Sequence, residues 1–200
     1  MWVLVTGPSG SSKHVVTDFL KSEDFEVLDD NLASEISTTF NFEKELQLMM
    51  SRLRQQIKAS SVMSRSNVVT VRSVWDHFEV MIQGIFQLER MSRSQFDSFK
   101  IIYDACWDII PPPNLVIITR TKKQTSFDRS TLRGREIDQD LLTLELSKFD
   151  TFYDKLAIPR IEISSDDTPD DIKRSLEFGM ASVKASGLYV NTVWEKRIFL

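Results

Sequence analysis

Cysteine is almost missing from this chain: Cys106 is the one thiol in 200 residues, so no intrachain disulfide can staple the fold. Its place in a helical pattern between Tyr103 and Trp107 makes it a packing residue, and the scarcity fits a reducing interior. Glycine and proline are also scarce, six of each, and there is no polar low-complexity tract, which argues against long disordered regions. Long hydrophobic runs are absent too. The apolar stretch at residues 1–6 has no basic segment ahead of it and is too short for a signal peptide or a membrane span, so the expectation is a cytoplasmic protein with no membrane partner. Nor is there a basic run. Lys and Arg number 25 against 29 Asp and Glu, and this net charge of −4 with scattered cations makes a nucleic acid polymer a poor partner. A small local cationic pocket stays compatible with that balance.

What the chain does have is 42% hydrophobic and 27% charged residues, enough for one sizeable core, and the expectation is a single domain over 1–200. Trp2–Thr6 is a short β-branched run closed by Gly7-Pro8-Ser9-Gly10, and residues 13–21 place Val15, Val16, Phe19 and Leu20 at helical spacing. Further strands are predicted at 25–28, 68–71, 115–118 and 161–163. Helices are predicted from Phe42 through Ile57, over 75–87 and 94–107, around Leu142 to Leu156, and after Asp167-Thr168-Pro169, where a capping oxygen precedes a proline. Residues 120–138 form a charged connection. The last twenty residues read as strand or as a contact with a second copy. Strands alternating with helices predict an α/β fold, a doubly wound parallel five-stranded sheet flanked by helices, with ligands at the carboxyl ends of the strands.

The strand-to-helix turn Gly7-Pro8-Ser9-Gly10-Ser11-Ser12-Lys13-His14 stands where a phosphate loop must be. There, backbone N–H groups and the positive end of a helix surround an anion while a lysine reaches the outer phosphates. The candidate nucleotide contacts are therefore Gly7, Ser9, Gly10, Ser11, Ser12, Lys13 and His14. Two of them depart from the usual Gly-Lys-Ser/Thr ending: Ser12 adds a Cβ, and His14 lacks the hydroxyl that holds Mg²⁺.

Three later stretches, in order, resemble the deoxynucleoside kinase family: FEKELQLMMSRL at 42–53, VVTVRSVWD at 68–76 and RGREID at 133–138. Together with the glycine loop the likeness spans about residues 1 to 165, and the hexapeptide is its most specific piece. The resemblance implies a P-loop nucleoside kinase-like fold, ATP as phosphoryl donor with Mg²⁺, a deoxynucleoside or deoxynucleotide as acceptor, and a homodimer. It implies that Gln47 reads the base and that Arg72 orients the 5′ oxygen or the transferring phosphoryl group. Arg133 and Arg135, in a lid over about 120–138, would close on the phosphates, and Asp138 either meets the sugar 3′-hydroxyl or caps the next helix.

Two positions weigh against ordinary catalysis. Where the family has a glutamate as base, this chain has Asp29-Asp30-Asn31, so Asp30 is the candidate base, one methylene short. Val71 stands where the family carries an acidic residue associated with the metal, and with His14 it removes two supports of one ion; Asp76 and His77 are the nearby substitutes. Three readings stay open: a deoxynucleoside kinase, a catalytically impaired nucleotide-binding protein acting through a partner, and a nucleoside monophosphate kinase.

Overall fold

The computed structural model describes residues 1–28, 40–133, 138–155 and 158–186. Five strands, β1 (Trp2–Thr6), β2 (Glu26–Leu28), β3 (Val68–Val71), β4 (Leu115–Arg120) and β5 (Arg160–Ser164), form one parallel sheet in the order β2-β3-β1-β4-β5. β1 is central, with Val5 opposite both Val71 and Ile117. The carboxyl ends of three strands therefore lie level, and the segments that leave them start side by side.

Alternation along the strands divides the core into two layers. Trp2, Leu4, Val68, Val116 and Ile118 face one side, and Val3, Val5, Val69, Leu115 and Ile117 face the other. Helices α1 (Lys13–Ser22) and α8 (Pro169–Ala185) cover the second side through Val16, Leu20, Ile172 and Leu176. The first side is covered by α2 (Phe42–Val62) and by α3 (Val74–Asp76), which runs through a π-helical segment (His77–Ile82) into α4 (Gln83–Gln87). Helices α5 (Arg93–Ile109) and α7 (Gln139–Asp154) complete that layer. Both faces of a parallel sheet are thus buried, as such sheets require.

Local signals explain the helix starts. Thr168 accepts the Asp171 N–H at 3.2 Å with Pro169 behind it, and Ser92 forms a capping box with Gln95. Cys106 is buried in α5, and burial raises its thiol pKa to about 11, so it packs and stays protonated. The charged 120–138 connection differs from its expected form: it contains a helix, α6 (Lys123–Leu132). That helix is hidden from hydrophobic periodicity because the residues it buries are Ser126 and Ser130. Among the described residues, no helix is long and apolar enough to cross a membrane.

One polar contact inside the first layer gives a stability test. The Trp2 indole N–H donates to Thr70 Oγ1 at 2.8 Å across β1 and β3, and both residues are fully buried. The isosteric Thr70→Val change leaves that donor unsatisfied and is expected to cost about 1–3 kcal/mol in urea unfolding.

Candidate functional site

The turn after β1 is held by contacts that only small residues permit. Gly7 has φ +149°, and a Cβ there would lie 2.2 Å from Thr119 Oγ1; Gly10 has φ +73°, and a Cβ there would lie 2.7 Å from the Ser126 carbonyl oxygen. Thr119 Oγ1 donates to Thr6 O at 3.1 Å, so Ser11 Oγ, 2.6 Å away, is left as the donor to Thr119. From α6, Ser126 Oγ donates to Ser9 O, while Arg129 reaches Gly10 O at 3.3 Å and Ser165 O at 2.7 Å. The loop is therefore pinned by β4 below and α6 above. Ser12, immediately before α1, adopts φ 53°, ψ 34°, a left-handed conformation that suits glycine and strains serine.

Lys13 does not reach outward. Its Nζ donates to Gly7 O at 2.9 Å, Pro8 O at 2.7 Å and Ser11 Oγ at 3.2 Å. Burial and the neighbouring Arg72 push its pKa well below the ordinary lysine range, against the pull of Glu145 and Asp76.

Arg72 leaves the end of β3 at φ 64°, again in the left-handed region, and is only 8% exposed. Its Nη2 donates to Glu145 Oε1 at 2.8 Å, and the guanidinium lies 5.7 Å from the centre of the Phe149 ring. Burial works against its charge, but Glu145 and Asp76 outweigh it and hold its pKa above the usual arginine value. Nη1 is buried with no hydrogen-bond partner. Glu145, from α7, is 3% exposed, and the same Oε1 accepts from Ser9 N at 3.1 Å and Ser9 Oγ at 3.3 Å. A carboxylate oxygen thus stands where the loop N–H, a hydroxyl and a guanidinium converge. The sequence reading missed Glu145, whose one available signal was an acid flanked by the apolar Leu144 and Leu146.

Behind this point, Asp76 is fully buried. It accepts from Thr6 Oγ1, from Ser73 N at 2.5 Å and from Ser73 Oγ at 2.9 Å. Beside it lies a second polar group built from α2 and the π-helical segment. Arg52 Nη1 contacts His77 Nδ1, and His77 Nε2 lies 3.4 Å from Glu45 Oε2. Because arginine can only donate, Nδ1 must be the acceptor, which puts the imidazole proton on Nε2, facing Glu45. Burial, then Arg52 and Arg72, press the His77 pKa well below its ordinary value, while burial raises that of Glu45.

No family model and no curated protein matches this chain by sequence. Solved structures do. The chain is similar to deoxyadenosine kinase from M. mycoides in a structure with dCMP and a flexible dCDP bound, at 12% identity and a TM-score of 0.73, covering 92% of this chain and 100% of that one. The same enzyme with dATP aligns at 13% identity and TM-score 0.73, and with dCTP at 15% and 0.66, over the same shares of both chains. This is a deoxynucleoside kinase-like fold.

Within that fold the expected site residues are distributed unevenly. Gly7 to Lys13, Arg72 and the unforeseen Glu145 share one locus. His14 lies exposed at the start of α1, and partial desolvation, then the charge of Arg133, lower its pKa. Asp138 caps α7, accepting from Asp140 N and Leu141 N at 3.0 Å each, and pairs with Arg90. Gln47 is exposed, and its amide donates to Glu43 at 3.3 Å; the polar side chains that α2 turns inward are Glu45, Arg52 and Gln56. Asp30 and Arg135 lie outside the described residues.

Mg²⁺ held by protein side chains fits this arrangement poorly. Val71 offers no oxygen, both Asp76 oxygens are engaged, and Glu145 Oε1 is held by three donors. Among the described residues no group of three His, Cys, Asp or Glu side chains could hold a metal.

Two outcomes follow from the geometry. Ser12→Gly relieves the left-handed serine and is expected to stabilise the chain by up to about 1 kcal/mol in denaturant melts. His77 is neutral when folded and takes up a proton more readily when unfolded, so stability present above the unfolded pKa of about 6.5 is lost as pH falls below it, by at most about 1.4 kcal/mol per pH unit. The raised pKa of Glu45 acts in the opposite sense, nearer its own ordinary value. Urea unfolding at about pH 7.5 and about pH 5.5 should show a smaller acid loss for His77→Gln than for the parent chain.

Proposed function

We propose that the chain is a deoxynucleoside kinase, transferring the γ-phosphoryl group of ATP to the 5′-hydroxyl of a deoxynucleoside. The observation that carries this is the convergence of Ser9 N–H, Ser9 Oγ–H and the Arg72 guanidinium on one anion position, with Lys13 in the same turn. That locus lies at the carboxyl edge of the sheet, beside β1 and β3, where parallel α/β sheets take their ligands. The solved structures sharing the fold hold dATP, dCTP, or dCMP with dCDP, which supports a nucleotide as ligand.

In this reading, loop N–H groups and Lys13 take the triphosphate, and Arg72 faces the transferring group. The acceptor oxygen attacks the γ-phosphorus, the bond to the β–γ bridging oxygen breaks, and ADP leaves. The proton of the 5′-hydroxyl passes to a carboxylate, for which Asp30 is the candidate. Arg133 and Arg135 add positive charge from the lid, the kind of stabilisation phosphoryl transfer depends on. For the base, Gln47 is exposed and paired with Glu43, so the candidates in this reading become Glu45, Arg52 and His77, which are turned inward from α2 and the π-helical segment. Their carboxylate, guanidinium and imidazole N–H supply both acceptors and donors.

A second reading, nucleotide binding without turnover, is favoured by Val71 at the end of β3 and by the engaged oxygens of Asp76. The two separate by calorimetry with ATP and each deoxynucleoside, with and without Mg²⁺, followed by a labelled phosphate-transfer assay. ATP binding that weakens at least about ten-fold in Lys13→Ala supports the site. Joint replacement Val71→Asp with His14→Thr is expected to raise transfer on the order of 100-fold. Binding with no transfer by either protein selects the second reading, and no binding of ATP at millimolar concentration rejects both.

A further inference from the structure

The loop locus is already filled from within the chain. Glu145 Oε1 accepts from Ser9 N at 3.1 Å, from Ser9 Oγ at 3.3 Å and from Arg72 Nη2 at 2.8 Å. This is the donor set that a non-bridging phosphate oxygen seeks: a backbone N–H before a helix, a hydroxyl, and a guanidinium. Lys13 meanwhile closes on its own loop carbonyls, Gly7 O and Pro8 O, instead of extending to an outside anion.

We infer that Glu145 is an internal stand-in for a phosphate oxygen, and that it keeps the glycine loop closed until the polyphosphate of a nucleotide displaces it. The inference deepens the proposed function and rests on its reading of the loop as a phosphate site. Two anions cannot share one oxygen position, so ligand entry must move the Glu145 side chain off Ser9 and release Lys13 from the loop carbonyls. Arg72 supplies a reason for the exchange to go forward. Its carboxylate partner engages Nη2 only, and Nη1 is buried without an acceptor. A phosphate group, with several oxygens, can take both nitrogens as well as the Ser9 N–H. Phe149, one turn along α7 from Glu145, lies against the same guanidinium, so Arg72 is held in place while its partner changes.

The test uses the full chain, with Glu145→Gln and with Glu145→Asp, whose carboxylate is withdrawn by one methylene but still balances Arg72. Calorimetry is run with inorganic phosphate, inorganic tripolyphosphate and ATP, after circular dichroism has confirmed that each protein is folded. Glu145→Gln is expected to bind tripolyphosphate at least about ten-fold more tightly than the parent chain, with Glu145→Asp between them. The gain should extend to ATP, whereas a gain confined to inorganic phosphate overturns the assignment to a nucleotide's polyphosphate. Should the glutamine variant be unfolded, the aspartate variant decides by the same sign. Equal or weaker binding by the variants, with the parent chain binding ATP, overturns the gate and leaves the kinase reading standing. Absence of binding by all three folded proteins removes both.

Discussion

A guanidinium that is 8% exposed, on backbone held at φ 64°, needs a counter-anion within reach, and Glu145 supplies it. Removing one member of a buried pair of this kind costs about 3–5 kcal/mol, because the other is left charged in a poorly solvated place. The consequence here is architectural. Arg72 belongs to the end of β3, Ser9 to the loop after β1 and Glu145 to α7, so one ion pair ties three separate segments to a single point at the carboxyl edge of the sheet. Strained backbone at Arg72 and Ser12 is tolerated because the surrounding contacts leave those residues nowhere else to go.

The same logic extends outward from that pair. Lys13, Arg72 and Arg52 lie among Asp76, Glu145 and Glu45, and the shifts in acidity of Lys13, Glu45 and Arg72 come from burial first and then largely from charges of this set. Asp76 is the hidden member: it is fully buried under the loop, with both oxygens satisfied by β1 and by the start of α3. Burial first, and then the charges of Arg52 and Arg72, keep His77 neutral. Buried polar contacts of this kind tie segments together in pairs, α2 to the π-helical segment through Arg52 and His77, and the end of β3 to α7 through Arg72 and Glu145.

The sheet and most helices were legible because their signals are local: β-branched runs, helical stripes of large apolar side chains, and capping sequences such as Asp167-Thr168-Pro169. Helix α6 was not, since its buried face is made of Ser126 and Ser130 and its role is to lie against the loop backbone at Gly10. The site divides along the same line. Lys13 and Arg72 follow from their positions at strand ends, whereas Glu145 and Glu45 look like ordinary helix acids until tertiary packing turns them inward. Gln47 shows the converse, because it lies two positions beyond Glu45 and that rotation of about 200° carries a helical side chain to the opposite face.

The altered positions also make sense together when charge is counted around the loop. A phosphate site that relies on a metal keeps oxygen ligands facing the anion, whereas here Val71 is apolar and the carboxylates of Asp76 and Glu145 face Thr6, Ser73, Ser9 and Arg72. Such a site is neutralised at rest by its own side chains. Under the proposed function, admitting a polyphosphate exchanges the Glu145 carboxylate for an external anion of greater charge, against the same cations, Lys13 and Arg72. Under the same proposal, the positive charge of Arg133, which follows α6 and helps to lower the pKa of His14 at the start of α1, belongs to one electrostatic problem with ligand binding.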